Sequence, residues 1–233
     1  MITRIPAEER HFANFSWMQA YWLFSYGEWY VPGNVRLGKL RVFNDDLVQP
    51  REGFGPHPHE ELEMVTIMLA GQLTLMDDEG TRTIIHAGEV HRLSAGTGVR
   101  HAEKNQASEP ARYYQIWIFP DKPGLIPSQE QKDFSHVSRQ DRLLTVASGR
   151  GDPGAVTMHA DAVIALSSFS PAFALDYAFT PDRCALVYVT AGSISVNGTL
   201  LEEGDQGRVM REEQPLSLAS ATGGSFVLVD VTA

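Results

Sequence analysis

Two stretches of this chain repeat one another, and that repeat constrains the fold more than any other feature. Ile67-Met-Leu-Ala-Gly-Gln-Leu-Thr-Leu75 has the pattern of Tyr188-Val-Thr-Ala-Gly-Ser-Ile-Ser-Val196, an offset of 121 residues. Ala87-Gly-Glu-Val-His-Arg-Leu93 has the pattern of Glu203-Gly-Asp-Gln-Gly-Arg-Val209, an offset of 116. The offset shrinks because Asn197-Gly198 makes a tighter turn than the Asp77–Gly80 region. In both copies a strand, a glycine bend, a strand, a turn, a strand, a Gly-acid pair and a strand follow in order. A repeat of this length in 233 residues means two tandem copies of one domain, not a solenoid.

Each copy is built of short apolar runs between turn residues: Val35–Phe43, Met64–Met76, Arg112–Phe119, Ala162–Phe169, Ala185–Thr190 and Phe226–Val231. Val, Ile, Leu, Tyr and Phe dominate them and several alternate, as strands do. The expected class is all-β, two tandem jelly-roll barrels with little helix. One helical turn is expected at Gln129–Phe134. The aromatic stretch 7–26 lacks clean periodicity and is expected to cover a β core. If one pleat ran from His57 to Leu69, Glu61, Glu63, Val65 and Ile67 would share a face with the histidines. The connector Asp121-Lys-Pro-Gly-Leu-Ile-Pro-Ser128 divides the chain into an N-terminal domain of residues 1–135 and a C-terminal domain of residues 136–233.

Charge and composition exclude several function classes. The net charge is −10, and cutting after Ser135 leaves −5 on each side, so neither half offers the Lys/Arg surface that phosphate neutralisation needs. Direct nucleic-acid binding is not expected. No apolar run reaches the ~20 residues of a membrane span. The single cysteine, Cys184, lies in an apolar run and reads as a buried, inert thiol. The N-terminal residues show no apolar signal segment, which points to the cytoplasm, and the protein is expected to be a monomer.

The chemistry gathers in the first copy. Gly55-Pro-His57-Pro-His59-Glu-Glu-Leu-Glu63 is followed about forty residues on by Gly96-Thr-Gly-Val-Arg-His101-Ala-Glu103. In a strand, residues i and i+2 point to one side, so His57 pairs with His59 and His101 with Glu103. On neighbouring strands these pairs present three imidazoles and a carboxylate, a mixed N/O set suited to a divalent first-row metal. Single histidines elsewhere (His11, His86, His91, His136, His159) read as surface or satisfied core residues. For Glu63, a place beside the ligands or at the rim fits better than ligation. The offsets carry the four ligand positions to Ala178, Thr180, Ser217 and Ala219, which form no such set, so the second copy is expected to hold no metal.

His57-Pro-His59-x-x-x-Glu63, the Ala70-Gly71 bend, Ala87-Gly88-Glu89, Ala95-Gly-Thr-Gly-Val-Arg-His101-Ala-Glu103 and Tyr114-Gln-Ile-Trp117 together resemble the pirin family, in its bacterial quercetinase-like branch. Asn44-Asp45-Asp46 and Phe54-Gly55-Pro56 fit as well. The resemblance is specific over residues 10–135 and loose beyond them. It implies a bicupin with one metal in the N-terminal barrel, held by His57, His59, His101 and Glu103. Iron is expected first, and Mn, Ni, Cu and Zn also suit the set. It further implies a dioxygenase that takes O2 and a small aromatic substrate such as the flavonol quercetin, with Glu103 as catalytic base. The alternative is a non-enzymatic metal- or redox-sensing pirin that binds a protein partner. A cupin isomerase would need a phosphate-cradling loop, which the chain lacks.

Overall fold

The repeat is realised strand for strand. The computed structural model describes residues 2–78, 80–212 and 214–233. In the first copy, Glu63–Ala70 and Gln72–Asp77 are separated at Gly71; in the second they are one strand, Arg183–Val196, bent at Gly192. Both glycines have positive φ, 71° and 65°. A Cβ on Gly71 would lie 2.5 Å from the Pro110 carbonyl oxygen, and one on Gly192 2.4 Å from that of Gly223. Only glycine fits so close a backbone approach. The Asn197-Gly198 turn has both residues left-handed, at 45° and 82°, as a two-residue hairpin requires. In the longer first-copy turn, Gly80 N–H donates to Asp77 O and Thr81 N–H to Asp77 Oδ1; Glu79 lies outside the described residues.

The first copy forms two sheets. The larger has seven strands in the spatial order Ser128–Asp133, Glu89–Ser94, Glu63–Ala70, Ala111–Ile118, Leu40–Val48, Met18–Trp22, His11–Asn14. The smaller has four: Gly53–His59, Val99–Lys104, Gln72–Asp77, Arg82–His86. The second copy builds a branched ten-stranded sheet around Arg183–Val196, Gly224–Thr232 and Ala162–Phe169. The chain start joins that sheet, since Ile2–Ile5 pairs antiparallel with Gln206–Met210 and Arg4 Nε lies 2.7 Å from Asp205. The all-β bicupin class is thus observed, and among the described residues the helical content is one 3₁₀ turn, Ala7–Glu9.

Three local expectations are corrected. Gln129–Phe134 is not a helical turn, because Ser128–Asp133 is a strand hydrogen-bonded along Glu89–Ser94. That partner would otherwise be a sheet edge with unsatisfied backbone groups. The 7–26 stretch does more than cover a core, as His11–Asn14 and Met18–Trp22 form a hairpin that extends the larger sheet. No single pleat runs from His57 to Leu69. The chain turns at Glu61, whose φ is 51°, and the strands on either side belong to different sheets.

The core explains why several strands are apolar at every position rather than alternating. Glu63–Ala70 is buried at its first six residues. One face looks into its own barrel, where Met68 packs with Trp22, Leu73, Ile85 and Tyr113. The other looks across to the second barrel, where Val65 and Ile67 join one cluster with Ile164, Leu186, Tyr188 and Val229. A sheet covered on both sides reads as a continuous apolar run. No helix among the described residues is long and apolar enough to cross a membrane.

Candidate metal centre

The smaller sheet of the first barrel sets the site. Gly53–His59 runs antiparallel to Val99–Lys104, with His57 directly opposite His101 and His59 opposite Val99. A register shift between His101 and Glu103 brings Glu103 opposite Phe54. Strand alternation turns His57 and His59 to one side, and Pro56 and Pro58 are exposed on the other. The outcome is a tight imidazole cluster: one ring nitrogen from each of His57, His59 and His101 lies within 4.8 Å of the other two. The ring centroids are 4.7–5.2 Å apart. Among the described residues this is the one group of three or more ligating side chains so arranged.

The donor chemistry fits a cation. His57 Nδ1 lies 2.8 Å from the Gly55 carbonyl, which can only accept, so Nδ1 carries a proton and Nε2 is the nitrogen left for a metal. His59 Nε2 and both ring nitrogens of His101 are buried without a hydrogen-bond partner. Burial, reinforced by the neighbouring imidazoles, lowers the pKa of His59 to about 4 and of His101 to about 3. Both rings are therefore neutral at neutral pH, and each offers one lone-pair nitrogen, the state a metal requires.

Glu103 closes the cluster. Its Oε1 is 3.5 Å from His101 Nε2. Gln115 Nε2 donates to both carboxylate oxygens, at 3.2 and 3.4 Å, and Thr66 Oγ1 donates to Gln115 Oε1 at 3.0 Å. Burial pushes the Glu103 carboxyl up to about 7, against the downward pull of the Gln115 hydrogen bond. Asp46, fully enclosed and facing the Glu103 charge, is raised well above the carboxylate range. Two cavities meet the site. His57 and Glu103 border an inner one of ≈ 70 Å³, shared with Trp22, Asn44, Asp46 and Trp117. His101 borders an outer one of ≈ 570 Å³, with Leu75, Leu93, Val99 and Pro127 on its apolar part and Asp77, Asp78, Thr83, Arg100 and Gln129 on its polar part.

The remaining sequence-derived residues fall elsewhere. Glu63 is neither beside the histidine cluster nor at a rim. It is 1% exposed, accepts from Ser94 Oγ and from the His159 backbone N–H, and so ties the first barrel to the second. His11 stacks on Trp29, and Cys184 is a buried free thiol. His91 is a satisfied core residue, bonded through Nε2 to Gln129 Oε1 at 3.1 Å. Neither Gln129 nor Gln115 stood out in the sequence as a functional residue. Their only signal was position, Gln115 inside a motif of the resemblance and Gln129 just after the connector, at the start of the expected helical turn.

The second barrel needs a correction of register. Leu75 pairs with Glu103, and its repeat equivalent Val196 pairs with Leu218. His101 pairs with His57, and Leu216 with Tyr177. The positions that match the cluster are thus Tyr177, Phe179, Leu216 and Leu218, one residue away from those the sequence offsets implied. Counting offsets misses this because the loops differ in length, whereas strand pairing fixes which side chains point inward. Leu216 and Leu218 are completely buried, in one apolar cluster with Phe179 and against Tyr177.

Comparison with known proteins agrees with both halves. Residues 6–118 match the pirin family and residues 145–231 the quercetinase C-terminal cupin domain. A pirin-like protein of Caulobacter vibrioides is 36% identical over 99% of this chain and 99% of its own length. The quercetin 2,3-dioxygenase of Escherichia coli K12 is 32% identical, also over 99% of each chain. The crystal structure of the bacterial pirin YhhW from Escherichia coli in complex with nickel(II) superposes with a TM-score of 0.92 at 31% identity, covering 100% of this chain and 99% of that one. Similarity that runs nearly end to end through both cupins leaves one assignment: this chain belongs to the pirin family, in its bacterial quercetinase-like branch.

Proposed function

We propose that this protein is a metal-dependent dioxygenase that opens the heterocyclic ring of a flavonol such as quercetin with O2 and releases carbon monoxide. One observation carries the reading: three imidazoles converge beside a buried carboxyl whose pKa burial raises to about 7, and one of them, His101, borders a cavity with both apolar and polar walls. His57, His59, His101 and Glu103 would hold one divalent ion per chain. Fe, Mn, Ni, Cu and Zn all accept such a set, and the nickel(II) complex of the Escherichia coli relative supports an ion of this series. When bound, the ion would supply Lewis acidity and, if it is a redox-active member of the series rather than Zn, one-electron chemistry.

The chain's own groups do the rest. A cavity of ≈ 570 Å³ is of the size that encloses a drug-sized ligand, and Leu75, Leu93, Val99 and Pro127 suit a flat aromatic face. Glu103 takes the proton of the flavonol 3-hydroxyl, and a carboxyl near pH 7 is well matched to that transfer. Gln115, braced by Thr66, holds both carboxylate oxygens and orients them. The test is oxygen uptake, loss of quercetin's visible absorbance and carbon monoxide release by protein loaded in turn with each of the five metals. Turnover with at least one is the expected result. No turnover with any overturns the dioxygenase reading in favour of a metal-sensing, partner-binding pirin.

A further inference from the structure

The outer cavity carries one side chain whose orientation is set from behind. Gln129, on the edge strand Ser128–Asp133, lines this cavity together with His101. Its Oε1 lies 3.1 Å from His91 Nε2 and accepts from Thr83 Oγ1 at 3.2 Å. A carboxamide has one acceptor oxygen and one donor NH2. With two donors on the oxygen, the NH2 group is left to the cavity. The brace is rigid: His91 is 1% exposed in the interior of Glu89–Ser94, with Gln131 and Thr66 as its strand neighbours. Thr83 comes from the other sheet, so the amide is clamped where the two sheets of the barrel meet.

The rest of the wall narrows the ligand. Leu75, Leu93, Val99 and Pro127 favour an apolar ring face. Arg100, the wall's cation, faces Asp78 at 3.8 Å, and Asp77 and Asp78 both line the same wall, so the cavity offers a phosphorylated ligand no net positive charge. The wall also carries Asp77, Asp78, Thr81, Thr83 and Ser128, and an oriented amide donor beside its apolar patch calls for an acceptor oxygen on the ring edge. We propose that Gln129 is the specificity-determining donor of this cavity and His91 its positioning residue, and that together they select aromatic ligands bearing a ring ketone. The proposal rests on the cavity being the substrate pocket of the proposed dioxygenase.

The experiment is equilibrium binding to metal-loaded protein without oxygen, followed by tryptophan fluorescence, with quercetin and with catechin, a flavan-3-ol that lacks the ketone. Differences in ring shape cancel when the quercetin-to-catechin affinity ratio of a variant is divided by that of the wild type. In Gln129→Leu the ratio should fall about 3- to 10-fold, the worth of one neutral hydrogen bond, with catechin affinity unchanged. His91→Leu should lower it likewise. His91→Gln, whose amide N–H can donate to Gln129, should restore it. An unchanged ratio in Gln129→Leu overturns the proposal. A fall in Gln129→Leu that His91→Leu does not share removes His91 from it. Because oxygen is excluded, failure of the dioxygenase reading appears separately, as absent turnover on readmitting air while the binding ratio stands.

Discussion

In the first barrel, inward positions 57, 59, 101 and 103 hold three histidines and a glutamate; in the second, the matching positions hold Tyr177, Phe179, Leu216 and Leu218. The strand plan is the same and the interiors are opposite in kind. Around the first cluster, Asn44, Asp46 and Gln115 are also buried, and burial raises the pKa of Asp46 and of Glu103. Burying such groups costs free energy unless partners compensate it. The second barrel has a closed apolar core at the same place and also shares a cluster with the first through Ile164, Leu186 and Val229. Duplication thus lets one copy carry chemistry that weakens its interior while the other, packed against it, adds cohesion.

The contrast breaks or sharpens under substitution. The largest effect is expected at Glu103. Glu103→Gln, assayed with measured metal content, should lose turnover by about 10²–10⁴-fold, the usual contribution of a general base. Its paired control is Tyr177→Phe, at the position equivalent to His57. That variant loses only the hydroxyl bond to Asp230 Oδ2 at 2.6 Å and should keep metal content and turnover. If the control loses its metal, the two barrels do not divide their labour in this way.

Next comes stability. Leu218→Glu places in the second barrel the residue type that the first tolerates at position 103. With no Gln115-like donor present, an unpaired buried carboxyl should cost about 3–5 kcal/mol, read from urea unfolding. A cost below about 1 kcal/mol would mean that the second interior is more polar than its packing implies.

A smaller effect follows from pH. Burial lowers the folded-state pKa of His59 and His91 to about 4 and of His101 to about 3, against about 6.5 in an unfolded chain. A depressed pKa contributes stability that is complete above about 6.5 and is lost as pH falls toward the folded value. The metal-free protein should therefore weaken between pH 6.5 and 4. Amide exchange in Gly53–His59 and Val99–Lys104 should rise before exchange in Phe173–Tyr177 and Leu216–Ser220, because His136 and His159, the histidines of the second half, are exposed. Simultaneous loosening of both regions would show that the shared core couples the barrels into one unit.

The smallest predicted difference is a null. Gly71→Ala and Gly192→Ala meet nearly identical carbonyl contacts at similar φ, so each should cost about 1–3 kcal/mol and by the same amount. A marked inequality in thermal unfolding would show that the bends are alike in shape but not in strain.

The sequence by itself determined the duplication, the strand class and the histidine cluster. Gly71 and Gly192 mark the repeat, and His57/His59 with His101/Glu103 converge because side-chain direction in a strand depends only on parity, a property of neighbouring residues. What parity leaves open is which strand pairs with which, and in what register. Tertiary structure alone decided that His57–Leu69 breaks between two sheets, that Glu63 reaches His159 across the barrels, and that Ile2–Ile5 joins the distant sheet. It likewise decided that Tyr177, Phe179, Leu216 and Leu218, rather than their neighbours, fill the second interior. Gln115 and Gln129 were silent in the sequence for the same reason. A glutamine's role lies in the partners that engage its amide, and Glu103, Thr66, His91 and Thr83 reach those amides from other strands, at separations no local pattern encodes.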